Sequence, residues 1–190
     1  MPSIDLSTEL DAVNTILSAV GSQPVTDLSG SAPDAAAALN TLREFSREVQ
    51  DVGWHFNTEN DVEFTPDTSG YIQLPPGVLK FDTEPGETAD VVLRGRTVYD
   101  RENHTKVFTK PLKAEVVYLL EWEELPEAAR RYIMIRAARS YHDRYVGSDT
   151  IHRFTENDEM TAAARLIEAN ADQADNNIFQ TAEMQLRLRR

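Results

Sequence analysis

The sequence predicts an α+β protein. It combines a four-helix bundle-like α domain, an antiparallel β subdomain inserted between helices two and three, and a C-terminal tail. Three observations carry this reading. Helical periodicity recurs twice before residue 53 and twice after residue 122. Between them, residues 59–122 place β-branched and aromatic residues at alternate positions, with turn formers every 8–12 residues. From residue 175 onward neither pattern persists. The expected division is therefore 1–53 with 123–174 for the helical domain, 54–122 for the β subdomain, and 175–190 for a tail or arm.

Thr8 can cap the first helix, with Asp11 three residues on to complete a capping box. Leu10, Val13, Leu17 and Val20 then recur at spacings of 3, 4 and 3, with Ile16 beside them, and Gly21 and Pro24 end the run. Residues 22–32 read as loop. Pro33 suits the first turn of a second helix, in which Ala35, Ala38, Leu42, Phe45, Val49 and Val52 form one seam ending at Gly53.

About six short strands fit the next stretch. Val62/Phe64, Ile72/Leu74, Leu79/Phe81 and Val91/Leu93 alternate, a further strand surrounds Val107, and Pro75-Pro76-Gly77, Pro85-Gly86 and Gly95 mark turns. In the last strand Val116, Tyr118, Leu120 and Trp122 line one face and Val117 and Leu119 the other, which predicts burial on both. Pro126 opens a third helix whose wide apolar face (Met134, Ala138, Tyr141 and Tyr145, flanked by Ile133, Ile135 and Ala137) predicts a central position and a stop at Gly147. A fourth helix over Asp149–Ala174 places Ile151, Phe154, Ala163, Ala164 and Ile167 inside. Glu156, Asp158, Glu159, Glu168 and Asp172 lie outside, and Asp175-Asn176-Asn177 ends it.

Composition narrows the function. The 190 residues carry a net charge of −13, so a broad phosphate-binding face is not expected. No Cys is present, which excludes disulfides, thiolate metal sites and cysteine nucleophiles. Neither a signal core nor a membrane-length apolar run is found, and nothing argues for export. The last six residues, Gln185-Leu186-Arg187-Leu188-Arg189-Arg190, contribute +3 against −16 for the remainder. This basic end is either a passive tail or an arm seeking an acidic groove.

Enzymatic signals are thin. Phosphate-cradling glycine loops and a serine elbow are both absent. The histidines, His55, His104, His142 and His152, are spread too widely for a metal cluster, and Asp149-x-x-His152 lacks the accompanying glutamates, so no metal or cofactor is predicted. Asp61/Glu63 and Asp82/Glu84 pair carboxylates at i, i+2 on strands, the arrangement a polysaccharide hydrolase would need. In a chain this acidic such pairs also serve to protect strand edges. A monomeric binding module is the other alternative.

Helix three is the more telling region. Arg130, Arg131, Arg136, Arg139 and Arg144 stand there against only Glu127 and Asp143, while helix four has the opposite balance. Either the two helices pair within one chain, or the basic face of one copy meets the acidic face (Glu156, Asp158, Glu159, Glu168) of the next in a ring. Gly53-Trp54-His55-Phe56-Asn57 marks the change from helix to strand. Trp54 and Phe56, two apart on a strand, would share one face and seal the bundle–β junction, with His55 pointing away.

Several stretches resemble one family in order and spacing: Glu9-Leu10-Asp11-Ala12-Val13-Asn14-x-Ile16-Leu17, Gly21-x-x-Pro24-Val25, Gly53-Trp54-x-Phe56-Asn57, Val98-Tyr99-Asp100-Arg101, and Leu125-Pro126-Glu127 leading to Arg139, Arg144 and Gly147. They span residues 9–147 and resemble the tail tubular protein A, or head-to-tail adaptor, family of short-tailed bacteriophages (podoviruses). The resemblance implies a helical fold with a β subdomain and a structural virion protein made in the host bacterial cytoplasm. It further implies a dodecameric homo-oligomeric ring below the portal protein. The nozzle (tail tubular protein B) would lie on its other side, tail fibres would attach nearby, and the genome would pass through at ejection. It supplies no catalytic residues. Leu186, Arg187, Leu188, Arg189 and Arg190 lie beyond the resembling stretches and are candidates for a portal-binding arm that adds a strand to a partner.

Overall fold

The computed structural model describes residues 6–29, 32–83, 89–145 and 156–178, with side chains through residue 174. In chain order it shows α1 (Glu9–Ala19), α2 (Pro33–Gln50), β1 (Thr58–Phe64), β2 (Val78–Thr83), β3 (Val91–Arg94), β4 (Thr97–Asp100), β5 (Leu112–Tyr118), α3 (Glu127–Tyr145) and α4 (Glu156–Ile178). The fold is α+β, with four helices and small antiparallel sheets between the second and third. Two compact units emerge, one from Met1–Val49 with Glu121–Arg190, the other from Gln50–Leu120.

In the helical unit, α1 begins as its residues dictate. The Thr8 hydroxyl accepts from Asp11 N (3.1 Å) while Thr8 N donates to the Asp11 carboxylate (3.0 Å), closing the capping box. Gly21, at φ 75°, lets Ser22 N reach back to Leu17 O (3.0 Å) and ends the helix. The α2 seam buries Ala35, Ala38, Leu42, Phe45 and Val49, but Val52 is 61% exposed because the helix stops at Gln50.

Helix α3 packs against α1 and α4 and buries residues all round, among them Ala129, Ile133, Ile135, Ala137, Ala138 and Tyr141. Its expected face shifts accordingly: Met134 is half-buried and Tyr145 lies 61% exposed, stacked on Tyr141 at 4.3 Å. Helix α4 also departs from expectation. It buries Ala162 and Leu166, leaves Ala164 and Ile167 outside, and continues through Asp175-Asn176-Asn177 to Ile178. Ile151, Phe154 and the Gly147 stop fall outside the described residues.

The β unit contains five strands among its described residues rather than six. A three-stranded antiparallel sheet has the order β1-β5-β2, and β3 pairs with β4 as a separate hairpin. Val116 and Val117 of the central strand are both buried, as a strand covered on two faces requires. Trp122 is not in that strand, which ends at Tyr118; it lies in a short 3-10 turn over Trp122–Glu124. The Ile72/Leu74 stretch is no strand either. It holds only isolated bridges, Tyr71 to Val107 and Gln73 to Thr97, while Ile72 and Leu74 plug a core with Phe81, Val98, Phe108 and Ala114. Gly70 is required beside them, because a Cβ there would stand 2.7 Å from the Val107 side chain at a φ of 82°.

Two amides close the base of the β unit. Gln50 is fully buried; its Nε2 donates to Leu120 O (3.1 Å) and its Oε1 accepts from Leu120 N (2.7 Å), an imitation of a strand bridge. Asn57 Nδ2 donates to Gln50 O (3.0 Å) and Tyr118 O (2.8 Å), and its Oδ1 accepts from Trp54 N (2.8 Å). The outgoing chain at 50–57 and the returning chain at 118–120 are thereby tied, and the Gln50 carbonyl at the end of α2 gains a second donor beside Gly53 N (3.1 Å).

Farther out, the Asp100 carboxylate accepts from Asn103 Nδ2 (2.8 Å) and Asn103 N (2.9 Å), and these bonds hold its pKa below the usual carboxylate range.

Replacing Asn57 with Ala removes its donations to the Gln50 and Tyr118 carbonyls and the acceptor for Trp54 N, and should lower stability by about 2 kcal/mol in urea denaturation. Asn57→Asp should cost at least as much, since it turns an acceptor toward those same carbonyls. Because the Asp100 pKa is depressed by folding, its contribution is present above its unfolded value of about 4 and is lost as pH falls through the folded value. Thermal melts from pH 6 downward should show a steeper loss for the parent chain than for Asp100→Asn, which keeps the acceptor oxygen but does not titrate.

Candidate interaction surfaces

The arginines of α3 divide sharply once placed. Arg130 is only 4% exposed, which removes it from the candidate interface charges. Its Nε, Nη1 and Nη2 donate to the carbonyls of Leu125 (2.9 Å), Ser7 (2.9 Å) and Glu123 (2.6 Å). Trp122 Nε1 donates to the same Ser7 carbonyl (2.8 Å), and the Ser7 hydroxyl donates to Glu127 (2.6 Å). One guanidinium and one indole thus pin the segment before α1 to the start of α3. The fixed fork of donors on Arg makes it suited to collecting three carbonyls at once.

Arg136, Arg139 and Arg144 also have partners within the chain. Arg136 pairs with Glu48 of α2 and lies 3.9 Å from Glu159 of α4, while its guanidinium sits over the Phe45 ring at 5.4 Å. Arg139 pairs with the same Glu159. Arg144 meets Glu44 through two bonds of 3.1 and 3.3 Å, which hold the Glu44 carboxyl below its usual pKa. The intramolecular arrangement therefore holds for these three, with α2 as well as α4 supplying acceptors. Glu44 and Glu48, four apart on the α2 surface, were the readable sign of it.

Arg131 on α3 and Glu156, Asp158 and Glu168 on α4 are all exposed. Arg131 and Arg165 flank a small α3–α4 cleft with Asp158. Leu186, Arg187, Leu188, Arg189 and Arg190 lie outside the described residues.

In the β unit, residues 54–57 form a turn rather than a strand, and β1 starts at Thr58. Trp54 and Phe56 are each half-buried and stack with ring planes 4° apart at 6.4 Å, while His55 is exposed. The deeply placed residue of the motif is Asn57, at 2% exposure.

The carboxylate pairs do not build a hydrolytic site. Asp61 sits at a register shift of β1 with φ 57°, exposed and 4.0 Å from Lys113, so it and Glu63 do not share a regular i, i+2 face. Asp82 is exposed and Glu84 lies outside the described residues. Among the described residues no three His, Asp or Glu side chains are grouped to hold a metal ion, and no helix is long and apolar enough to cross a membrane.

A feature unremarked in the sequence emerges here. From Arg94 to Lys113 six cations (Arg94, Arg96, Arg101, Lys106, Lys110, Lys113) face only Asp100 and Glu102, a basic region on an acidic chain. All six cations are exposed. Arg94 lies over the Tyr99 ring at 3.4 Å and Arg101 is 3.5 Å from Asp90, so part of the patch is held in place locally.

Comparison with known proteins accords with interfaces rather than chemistry as the working parts. Residues 10–176 match the sequence model of a family described as tail tubular protein. The tail tubular protein A of Klebsiella phage KP34 is 32% identical over 125 residues, which is 66% of this chain and 66% of that relative. The family match covers both units and most of α4, so this chain belongs to the tail tubular protein family and is a structural, non-enzymatic component of the phage tail.

Proposed function

We propose that the chain is the head-to-tail adaptor of its virion. Copies of it form a ring, by the family resemblance a dodecamer, that joins the portal protein to the tail nozzle and lets the genome pass during ejection. The family match over residues 10–176 carries this reading. The charge supports it: a net −13 lets a polyanionic genome slide past without being held. Neighbouring copies, the portal protein, the nozzle protein and a nearby tail fibre are the partners this role requires.

The helix-three arginines that already have partners in the chain do not serve the ring in this reading. Arg131, Glu156 and Glu168 serve as contacts with other copies, while Leu186 to Arg190 act as an arm whose alternating leucines and arginines suit addition to a strand edge.

Light scattering with and without the cognate portal protein tests the assembly. The expected outcome is a ring-sized species, formed alone or only on the portal; a chain that never associates with portal overturns the proposal. Removing residues 185–190 should weaken portal capture without altering the melting temperature. Undiminished capture would assign portal docking to another surface.

A further inference from the structure

The outer face of α4 carries exposed carboxylates, among them Glu156 and Glu168. That face is also apolar along its middle. Met160, Ala164, Ile167 and Ala171 recur at spacings of 4, 3 and 4, and all four are exposed, Met160 at 65% and Ile167 at 59%. The buried Ala162 and Leu166 lie on the other side of the same helix. A seam of this spacing is what a packed helix presents to a partner. Glu156, one turn before Met160, and Glu168, next to Ile167, give it acidic margins.

The β unit carries the complement. The bridge between Tyr71 and Val107 sets their side chains next to each other, and both are exposed, at 38% and 49%. The inward neighbours Ile72 and Phe108 fill the core, so the bridge holds the outer pair on a rigid base. Lys106 and Lys110 stand exposed on either side of Val107 in the chain. This is an apolar centre with basic margins, opposite in sign to the α4 seam.

We propose that these two faces form one contact between successive copies of the chain, with Met160 and Ile167 of one copy seated on Tyr71 and Val107 of the next. Lys106 and Lys110 then meet Glu156 and Glu168. The proposal rests on the adaptor reading and adds to it the surfaces by which neighbours join. Two different faces permit a heterologous contact, the kind that builds rings when the rotation closes, whereas a two-fold pair would use each face once from either copy.

The absence of native cysteine allows a direct test. Val107→Cys and Ile167→Cys are placed in separate chains, mixed, and oxidised with and without portal. Heterodimers should form at least tenfold faster than either homodimer, and faster than those of a control pair using the exposed Val52→Cys with Ile167→Cys. Adding Lys106→Glu and Lys110→Glu to the first chain should slow the link, and Glu156→Lys with Glu168→Lys in the second should restore it.

Linkage no faster than the control overturns the contact. If assembly on portal proceeds all the same, the contact falls and the adaptor reading stands. If the pair links but portal never captures the chain, the contact stands without that reading.

Discussion

The structure depends first on how a chain leaves a helix, builds sheets and comes back. Two neutral amides solve this. Gln50 mirrors the donor and acceptor of Leu120, and Asn57 bonds to backbone groups on both sides of the crossing. Seventy residues separate Gln50 from Leu120 in sequence, so these bonds hold together the ends of a long loop. An amide can donate and accept at once, which a carboxylate cannot, and it does so without bringing a charge into a fully buried position.

A comparable economy governs the helical unit. Arg130 gathers three carbonyls of the irregular backbone before α1 and α3, one of which, that of Ser7, it shares with Trp122 Nε1. Farther along α3, Arg136 and Arg139 share Glu159, and Arg144 takes Glu44. Exposed ion pairs of this kind add little stability each. Their effect is better placed in register: α3 carries cations toward α2 and α4, so a slipped alignment would leave partly buried guanidinium groups such as Arg139 without a carboxylate. The apolar core sets the strength of the packing, and the arginines select one alignment of it.

Legibility in the sequence followed the range of the interaction. The Thr8–Asp11 box, the stop at Gly21, Pro33 at the start of α2 and the two-faced burial of β5 all arise within a few residues, and each could be read directly. Val52 was misplaced because a helical seam does not announce where tertiary bonds end it; Gln50 was already bound to Leu120. The Ile72/Leu74 alternation identified buried residues correctly but not a strand, since alternation reports a face and not a pairing partner. In Gly53-Trp54-His55-Phe56-Asn57 the aromatics drew attention, yet the residue with the most nonlocal bonds is the small amide at its end. Arg130 looked like surface charge because its acceptors are carbonyls, which carry no signature in the sequence.

What remains on the outside is arranged asymmetrically. Exposed carboxylates such as Glu156 and Glu168 line the outer side of α4, and six exposed cations lie between Arg94 and Lys113. A contact that set α4 against the α4 of another copy would place acid against acid, and a like contact between basic regions would fail for the same reason. In the proposed contact the α4 of one copy meets the β unit of the next instead, an arrangement compatible with head-to-tail order. A tail component joined by that proposed contact would add each copy in the same sense as the last.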